Sequence, residues 1–316
     1  MFKNKIQNLA FLFVLVLGLS SSVNALVVTV SIPPLAGMIA PLLSDEDELY
    51  VLLKPGVSPH GFQLRPSHLR KIQNSDLVLS VGSAVDAWIQ KPIQSMNKTN
   101  LSMNTIPRVT LLPLRQGGLW DLNDQHTHLH EHHNGEPEEK ATVDGHLWMS
   151  VENVLVTIEA VSQQLKILQP EKAKAIELRT SRWLAKINLA DQDIMSLLAP
   201  VKHLPYLVLH DAFQYFEKHY QLNGVGSIRL NPEIPPSLKR IHQLRQRIET
   251  GNVTCVFKEP QFSEKRLMSV TSGLKLKVGM LDPMGSLYIK NKPYLLYEEF
   301  LRLMAKQFLN CLSDKG

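Results

Sequence analysis

The chain has 316 residues, 44% of them hydrophobic, and its 34 Lys and Arg against 29 Asp and Glu give a formal net charge of +5. The basic residues are scattered along the chain instead of forming aromatic-interleaved patches, which argues against a nucleic-acid partner. Two cysteines in a chain of this length exclude a disulfide-dense scaffold.

Residues 1 to 25 hold Lys3 and Lys5, then an apolar run from Leu9 to Leu19, then the small-residue exit Val23-Asn24-Ala25. That order is a secretory signal peptide, with cleavage expected after Ala25 and the product exported to the periplasm. The apolar run is shorter than the roughly 20 residues of a membrane span, and no later stretch is long and uncharged enough to replace it. No Cys stands near the cleavage point to carry a lipid. Taking 25 residues and two lysines from 316 residues and +5 leaves 291 residues and +3. That exceeds what one hydrophobic core usually supports, so two lobes are expected.

Short apolar runs follow at Val27 to Ile32, Tyr50 to Leu53, Leu77 to Val81, Tyr206 to Leu209, Val253 to Phe257 and Lys277 to Leu281. They read as buried strands, mostly of parallel sheets. Helical patterns separate them: residues 66 to 74 open on Pro66-Ser67, and residues 150 to 167 place Val151, Val154, Leu155, Ile158, Val161 and Leu165 on one face. The longest pattern runs from 171 to 198 between Pro170 and Pro200, with Ile176, Trp183, Leu184, Ile187, Ile194 and Leu197 at helical spacing. The fold class is therefore α/β. Two lobes with parallel sheets flanked by helices, 26–165 and 200–316, are joined by a long rigid backbone helix within 166–199.

From 115 to 145 the first lobe carries a segment without apolar periodicity. It contains His126, His128, His130, His132 and His133, five of the chain's twelve histidines within eight residues, and seven carboxylates fall between Asp121 and Asp144. Neutral imidazole is a good ligand for zinc, copper and nickel, so the tract reads as an accessory metal-binding loop. A fixed site needs histidines on rigid elements, and three stand beyond strands or loop exits: His60, His146 and His210. Asp282 occupies a similar position in the second half. Ligands of open α/β sheets gather beyond the carboxyl ends of strands. Two candidates from each lobe would enclose a ligand between them. His68, His203, His219 and His242 fall on helices or polar loops and read as surface residues.

Cys255 and Cys311 suggest one disulfide in an exported chain, tying a C-terminal helix to a core strand. Two separate buried thiols are the alternative. Enzyme signatures are missing: there is no His-Glu-x-x-His, no Gly-x-Ser-x-Gly and no glycine-rich phosphate loop. A zinc hydrolase would share three protein ligands and an open position, but it requires a general base and a substrate cleft.

Leu64-Arg65-Pro66-Ser67, His146-Leu147-Trp148, His210-Asp211-Ala212-Phe213-Gln214-Tyr215-Phe216, Asn231-Pro232-Glu233-Ile234 and Leu281-Asp282-Pro283 together resemble the zinc receptors of bacterial high-affinity zinc uptake ABC transporters. These form a metal-binding cluster of periplasmic solute-binding proteins, and the likeness covers essentially the whole mature chain. It implies Zn2+ held in the cleft by His60, His146 and His210, with delivery by a monomer to a membrane permease driven by a cytoplasmic ATPase. It also implies a disulfide at Cys255 and Cys311. In the manganese branch the third position is usually a carboxylate, and here it is His210. Three imidazoles suit zinc better than manganese or another hard divalent metal. Some zinc receptors carry Glu before the first histidine, where this chain has Pro59, so the fourth position falls to Asp282 or to water, with Asp282 either ligand or hydrogen-bonding partner.

Overall fold

The structure is a computed structural model. It describes residues 25–82, 85–116, 118–120, 143–229, 234–250, 253–286 and 293–313. The leader through Asn24, the histidine tract 126–133 and Asn231-Pro232-Glu233 lie outside the described residues.

The first lobe runs β1 (Val27–Val30), α1 (Pro33–Ile39), β2 (Glu48–Val51), α2 (Pro66–Gln73), β3 (Leu77–Ser80), α3 (Gln90–Ser95) and β4 (Asn100–Ser102). Two long helices follow, α4 (Val151–Leu168) and α5 (Ala173–Leu198). The second lobe runs β5 (Tyr206–His210), α6 (Gln214–Tyr220), β6 (Gly224–Arg229), α7 (Leu238–Glu249), β7 (Cys255–Lys258), α8 (Lys265–Thr271), β8 (Lys277–Met280) and α9 (Tyr297–Leu312). Among the described residues no helix is long and apolar enough to cross a membrane.

The two sheets repeat one topology. Their strand orders are β2-β1-β3-β4 and β6-β5-β7-β8, and every pairing is parallel. In each, the first strand lies inside the sheet: Val28 pairs with both Leu49 and Leu77, and Tyr206 with both Gly224 and Cys255. Strand order reverses beside β1 and beside β5, and loops at such a switch point part to leave a crevice at the carboxyl end of the sheet.

β4 and β6 have no counterpart in the apolar pattern. β4 is a three-residue edge strand reading Asn-Leu-Ser, and β6 contains two glycines and a serine. Pairing with β3 and β5 supplies what local propensity lacks. Gly226 has a packing reason: a Cβ there would lie 2.4 Å from the Leu119 Cβ and 3.1 Å from Leu207 Cδ2. Leu119 thereby lays the segment preceding residue 121 against the second lobe's sheet.

α4 is capped by Ser150, whose Oγ accepts the Asn153 N–H at 3.2 Å. α5 buries Ile176, Thr180, Trp183, Ile187, Ala190, Ile194 and Leu198. The inward stripe therefore ends at Leu198, four residues beyond Ile194, while Leu197 is 37% exposed. Trp183 Nε1 donates to the Met38 carbonyl at 2.8 Å and fastens this spine to α1.

The spine is not alone in joining the lobes. α9 packs along α5, and its Arg302 pairs with Asp193 at 2.8 Å while Glu298 pairs with Lys186 at 2.5 Å. Near its start, the Tyr297 hydroxyl donates to the Trp148 carbonyl at 2.9 Å. Just before it, the Leu295 carbonyl lies against α1, where a Cβ on Gly37 would approach its oxygen to 2.1 Å. Toward its far end Phe308 is fully buried, stacked on Phe216 at 5.4 Å and edge-on to Tyr206 and Phe257. Each such ring contributes about 1.5–3 kcal/mol by burial. A disulfide joins Cys311 to Cys255 of β7. One contiguous apolar core consequently includes residues of both sheets, both long helices and α9.

His219 departs from the surface reading. On α6 it bridges Glu152 of α4 at 2.8 Å and Asp191 of α5 at 2.7 Å, with only 14% of its side chain exposed. Those hydrogen bonds, first to Asp191 and then to Glu152, raise its pKa to about 9.

Candidate metal centre

His60, His146 and His210 meet where the two crevices face each other. Their ring centroids lie 5.6, 5.4 and 5.3 Å apart for the pairs 60–146, 60–210 and 146–210. Each offers a ring nitrogen within 4.8 Å of the other two, and no Cys, Asp or Glu among the described residues joins that group. All three Nε2 atoms are buried without a hydrogen-bond partner among the described residues. Leaving three polar atoms unpaired costs about 1–3 kcal/mol each, and a cation taking three lone pairs would satisfy them together.

Each histidine arrives by a different route. His210 is the last residue of β5, at the switch point of the second sheet. Neighbouring β7 delivers Glu259 just past its end, and Glu259 Oε1 accepts from His210 Nδ1 at 2.6 Å and from its backbone N–H at 3.2 Å. His146 is turned by its own loop: Asp144 Oδ1 lies 2.7 Å from Nδ1 and 3.0 Å from the backbone N. A carboxylate at Nδ1 fixes the proton there and leaves Nε2 as the free donor atom. His60 sits in a turn beyond β2, where its backbone N–H reaches Ser58 Oγ at 3.3 Å and Trp88 Nε1 holds the Pro59 carbonyl at 3.1 Å. Among the described residues no carboxylate bonds its ring.

The electrostatics follow from these neighbours. Burial, then His210 and His146, hold the His60 pKa well below its ordinary value. For His210 burial pulls down, but the charge and hydrogen bond of Glu259 outweigh it and the net shift is upward. Trp148 and Phe262 close apolar walls beside His146 and His210, at 5.3 and 6.0 Å between centroids. Trp148 Nε1 also donates to the Pro283 carbonyl at 2.8 Å, a tie across the cleft. Such a dry, nitrogen-rich pocket suits a borderline-soft cation.

Asp282 stands behind this set. It is fully buried and accepts from Gln261 Nε2 at 2.7 Å, from the Met284 N–H at 3.1 Å and from the Ser286 hydroxyl at 3.3 Å. The accessory histidines 126, 128, 130, 132 and 133 lie outside the described residues. The segment before them is anchored at Arg115, which pairs with Asp211 and, at 2.5 Å, with Glu217, and lies 3.6 Å from the Trp120 ring centroid. The segment after them returns through Val143, bridged to Pro113. The described residues on either side, 115–120 and 143, thereby lie close to the loop bearing His146 and to Asp211, the neighbour of His210.

The sequence reading places the three histidines at the fixed site but gives no role there to Asp144, which it counts only among the accessory loop's carboxylates, or to Glu259, Gln261 or Arg115. Asp144 is two residues from a ligand candidate, and Glu259 is an acidic residue just past a strand. An acid in either place is a signal for an outer partner of a metal-bound imidazole.

A family model described as "Zinc-uptake complex component A periplasmic" matches residues 28–311. The high-affinity zinc uptake system protein ZnuA of Haemophilus ducreyi is 34% identical over 321 residues, spanning 99% of this chain and 100% of that protein. Its namesake in Yersinia pestis is 31% identical over 302 residues, 92% of each. A crystal structure of ZnuA superposes with a TM-score of 0.75 at 21% identity, covering 92% of this chain and 100% of that one. The periplasmic zinc-binding protein TroA from Treponema pallidum gives 0.74 at 18% identity, covering 92% and 100%. Both share the fold. With a matched span that takes in both sheets, all three histidines and the disulfide, the chain belongs to the family of periplasmic A components of zinc-uptake complexes.

Proposed function

We propose that one Zn2+ is held between the lobes by the Nε2 atoms of His60, His146 and His210. The observation that carries this reading is the convergence of three buried, unpartnered imidazole nitrogens. The protein is a zinc-binding receptor of a zinc uptake system, not an enzyme, and it works with the permease and ATPase of an ABC transporter. Finer points belong to the same proposal: cleavage after Ala25, action as a monomer, and lobes at 26–165 and 200–316 with a linker at 166–199.

Neutral imidazoles are required, so protons and zinc compete for the same atoms. Asp144 and Glu259 supply two negative charges against the two positive charges of the ion without occupying its coordination sphere. The tract at His126, His128, His130, His132 and His133 serves as an accessory collector that binds zinc more weakly, its sequence lacking the apolar periodicity that places ligands on rigid elements.

Competitive titration of the mature protein against a chromophoric chelator tests the reading. One tight zinc is expected, with His210→Ala weakening it by more than the about 10- to 100-fold typical of outer partners. Deleting residues 121–140 should remove weak sites and leave the tight one. Unchanged affinity in His210→Ala, or loss of all binding on deletion, would overturn the assignment.

A further inference from the structure

Three imidazoles leave a tetrahedral ion one donor short. Resting on the three-histidine reading, we propose that the amide oxygen of Gln261 is the fourth donor and that Asp282 is the positioning residue that aims it.

Gln261 lines the same cavity as His60, His146 and His210, on the second-lobe side. Its Nε2 donates to Asp282 Oδ1 at 2.7 Å and to Ser286 Oγ at 3.2 Å. An amide has one donor end and one acceptor end. Asp282 Oδ1 also accepts the Met284 N–H at 3.1 Å, so it acts as acceptor and fixes which end of the amide faces it. The other end, Oε1, is buried and has no hydrogen-bond partner among the described residues. A buried amide oxygen left unpaired in the wall of a cavity that also holds three unpaired imidazole nitrogens is a donor suited to a cation there.

The carboxylates nearby are committed to bracing roles, although Asp144 Oδ2 and Glu259 Oε2 are themselves buried without a partner among the described residues and Glu259 also lines the cavity. Asp282 is absent from the cavity wall, and its oxygens are spent on Gln261, Met284 and Ser286. Asp144 and Glu259 each hold a histidine Nδ1 through one oxygen, and neither offers an oxygen within the group whose ligand atoms converge within 4.8 Å, so bracing an imidazole is the role their geometry gives them. Charge leads to the same residue: two carboxylates already balance a divalent ion, and a neutral amide oxygen completes the shell without adding a third. Gln261 is the second residue after Glu259, so one short turn beyond β7 supplies both the brace for His210 and the oxygen.

The test uses the full mature protein, zinc alone as ligand, and cobalt(II) absorption as a direct reading of coordination. Gln261→Leu keeps the bulk and removes the donor, while Gln261→Asn keeps an amide and withdraws it by one methylene. Both should weaken zinc by at least the about 10- to 100-fold typical of outer partners and shift the visible cobalt bands. Asp282→Ala should do the same, and the Gln261→Leu/Asp282→Ala pair should be no weaker than Gln261→Leu alone, because both changes remove one interaction. Zinc affinity within twofold of wild type and an unchanged cobalt spectrum in both Gln261 variants would overturn the inference. So would loss in Asp282→Ala with retention in both Gln261 variants, which makes the carboxylate the donor. His210→Ala separates the two readings. If it retains wild-type affinity the three-histidine site itself is wrong, whereas loss there with retention in the Gln261 variants sinks only the role given to Gln261.

Discussion

Replacing Glu259 with Gln keeps the shape of the side chain and an oxygen able to accept from His210 Nδ1, but removes one charge behind the metal. The Oε1–Nδ1 distance is 2.6 Å. Adding the imidazole ring and a zinc–nitrogen bond of about 2.0–2.1 Å places the ion roughly 6–7 Å from that oxygen. A charge of −1 against +2 at that range is worth about 5 kcal/mol in an effective dielectric of about 20. The amide dipole and surviving hydrogen bond return part of it, so the net loss should be about 1.4–2.7 kcal/mol, or about 10- to 100-fold in affinity. The pH dependence gives a second, opposite sign. Burial lowers the His210 pKa, and it is the Glu259 charge that turns the net shift upward. In the wild type, protons therefore compete for His210 from a higher pH. In Glu259→Gln that competition begins at a lower pH, and the gap between the two affinity curves should narrow as pH falls from about 8 toward the ordinary histidine range near 6.5. Isothermal titration with a competing chelator at several pH values reads both effects. Equal affinities at the alkaline end, or curves that stay parallel throughout, would refute the role given to this carboxylate.

Changing Cys255 and Cys311 to Ala opens a loop closed across a separation of 56 residues. The chain-entropy estimate is a loss of about 4 kcal/mol, read as a lower urea midpoint, with zinc affinity unchanged because neither sulfur lines the cavity. His219 contributes a pH term of its own. Its folded-state pKa is raised to about 9, so its stabilisation is complete below the unfolded value near 6.5 and drains away as pH rises through about 9. His219→Gln should lower stability at pH 6 and flatten the decline of the urea midpoint between pH 7 and 10. Gly37→Ala should reverse the usual sign. Alanine normally gains about 1 kcal/mol over glycine inside a helix, but here its Cβ would sit 2.1 Å from a backbone oxygen. A net loss of about 1–3 kcal/mol in thermal or urea unfolding is expected, and a net gain would contradict the close approach of α1 and Leu295.

What can be read from the chain is what repeats locally. Six strands are legible because each is a short apolar run with a breaker behind it, and His60, His146 and His210 stand out because they carry useful chemistry beyond strands or at loop exits. β4 and β6 are hidden, since their polar and glycine residues carry no apolar pattern and only neighbouring strands make them strands. Leu197 and Leu198 differ by 100° around a helix, a choice made by what packs against α5 and not by α5 itself. Glu259 and Gln261 are harder still. Their importance comes from a sheet order that sets β7 beside β5 and from a loop that faces Gln261 toward Asp282, and sequence separation reports neither. His219 reads as a surface residue because its partners lie 67 and 28 positions away.

The placement of α9 bears on how cargo leaves. A receptor whose halves swing about one connecting rod loosens its grip everywhere at once. Here a second rod, bolted at Tyr297 to the first lobe and at Cys311 to the second, braces the back, and parting the halves means exposing a shared apolar core. On the proposed ligand set, unloading is then a local affair conducted at the mouth. His146 and His210 are backed by carboxylates, while His60 rides on a turn and has no such backing among the described residues, which makes it the least braced of the three grips.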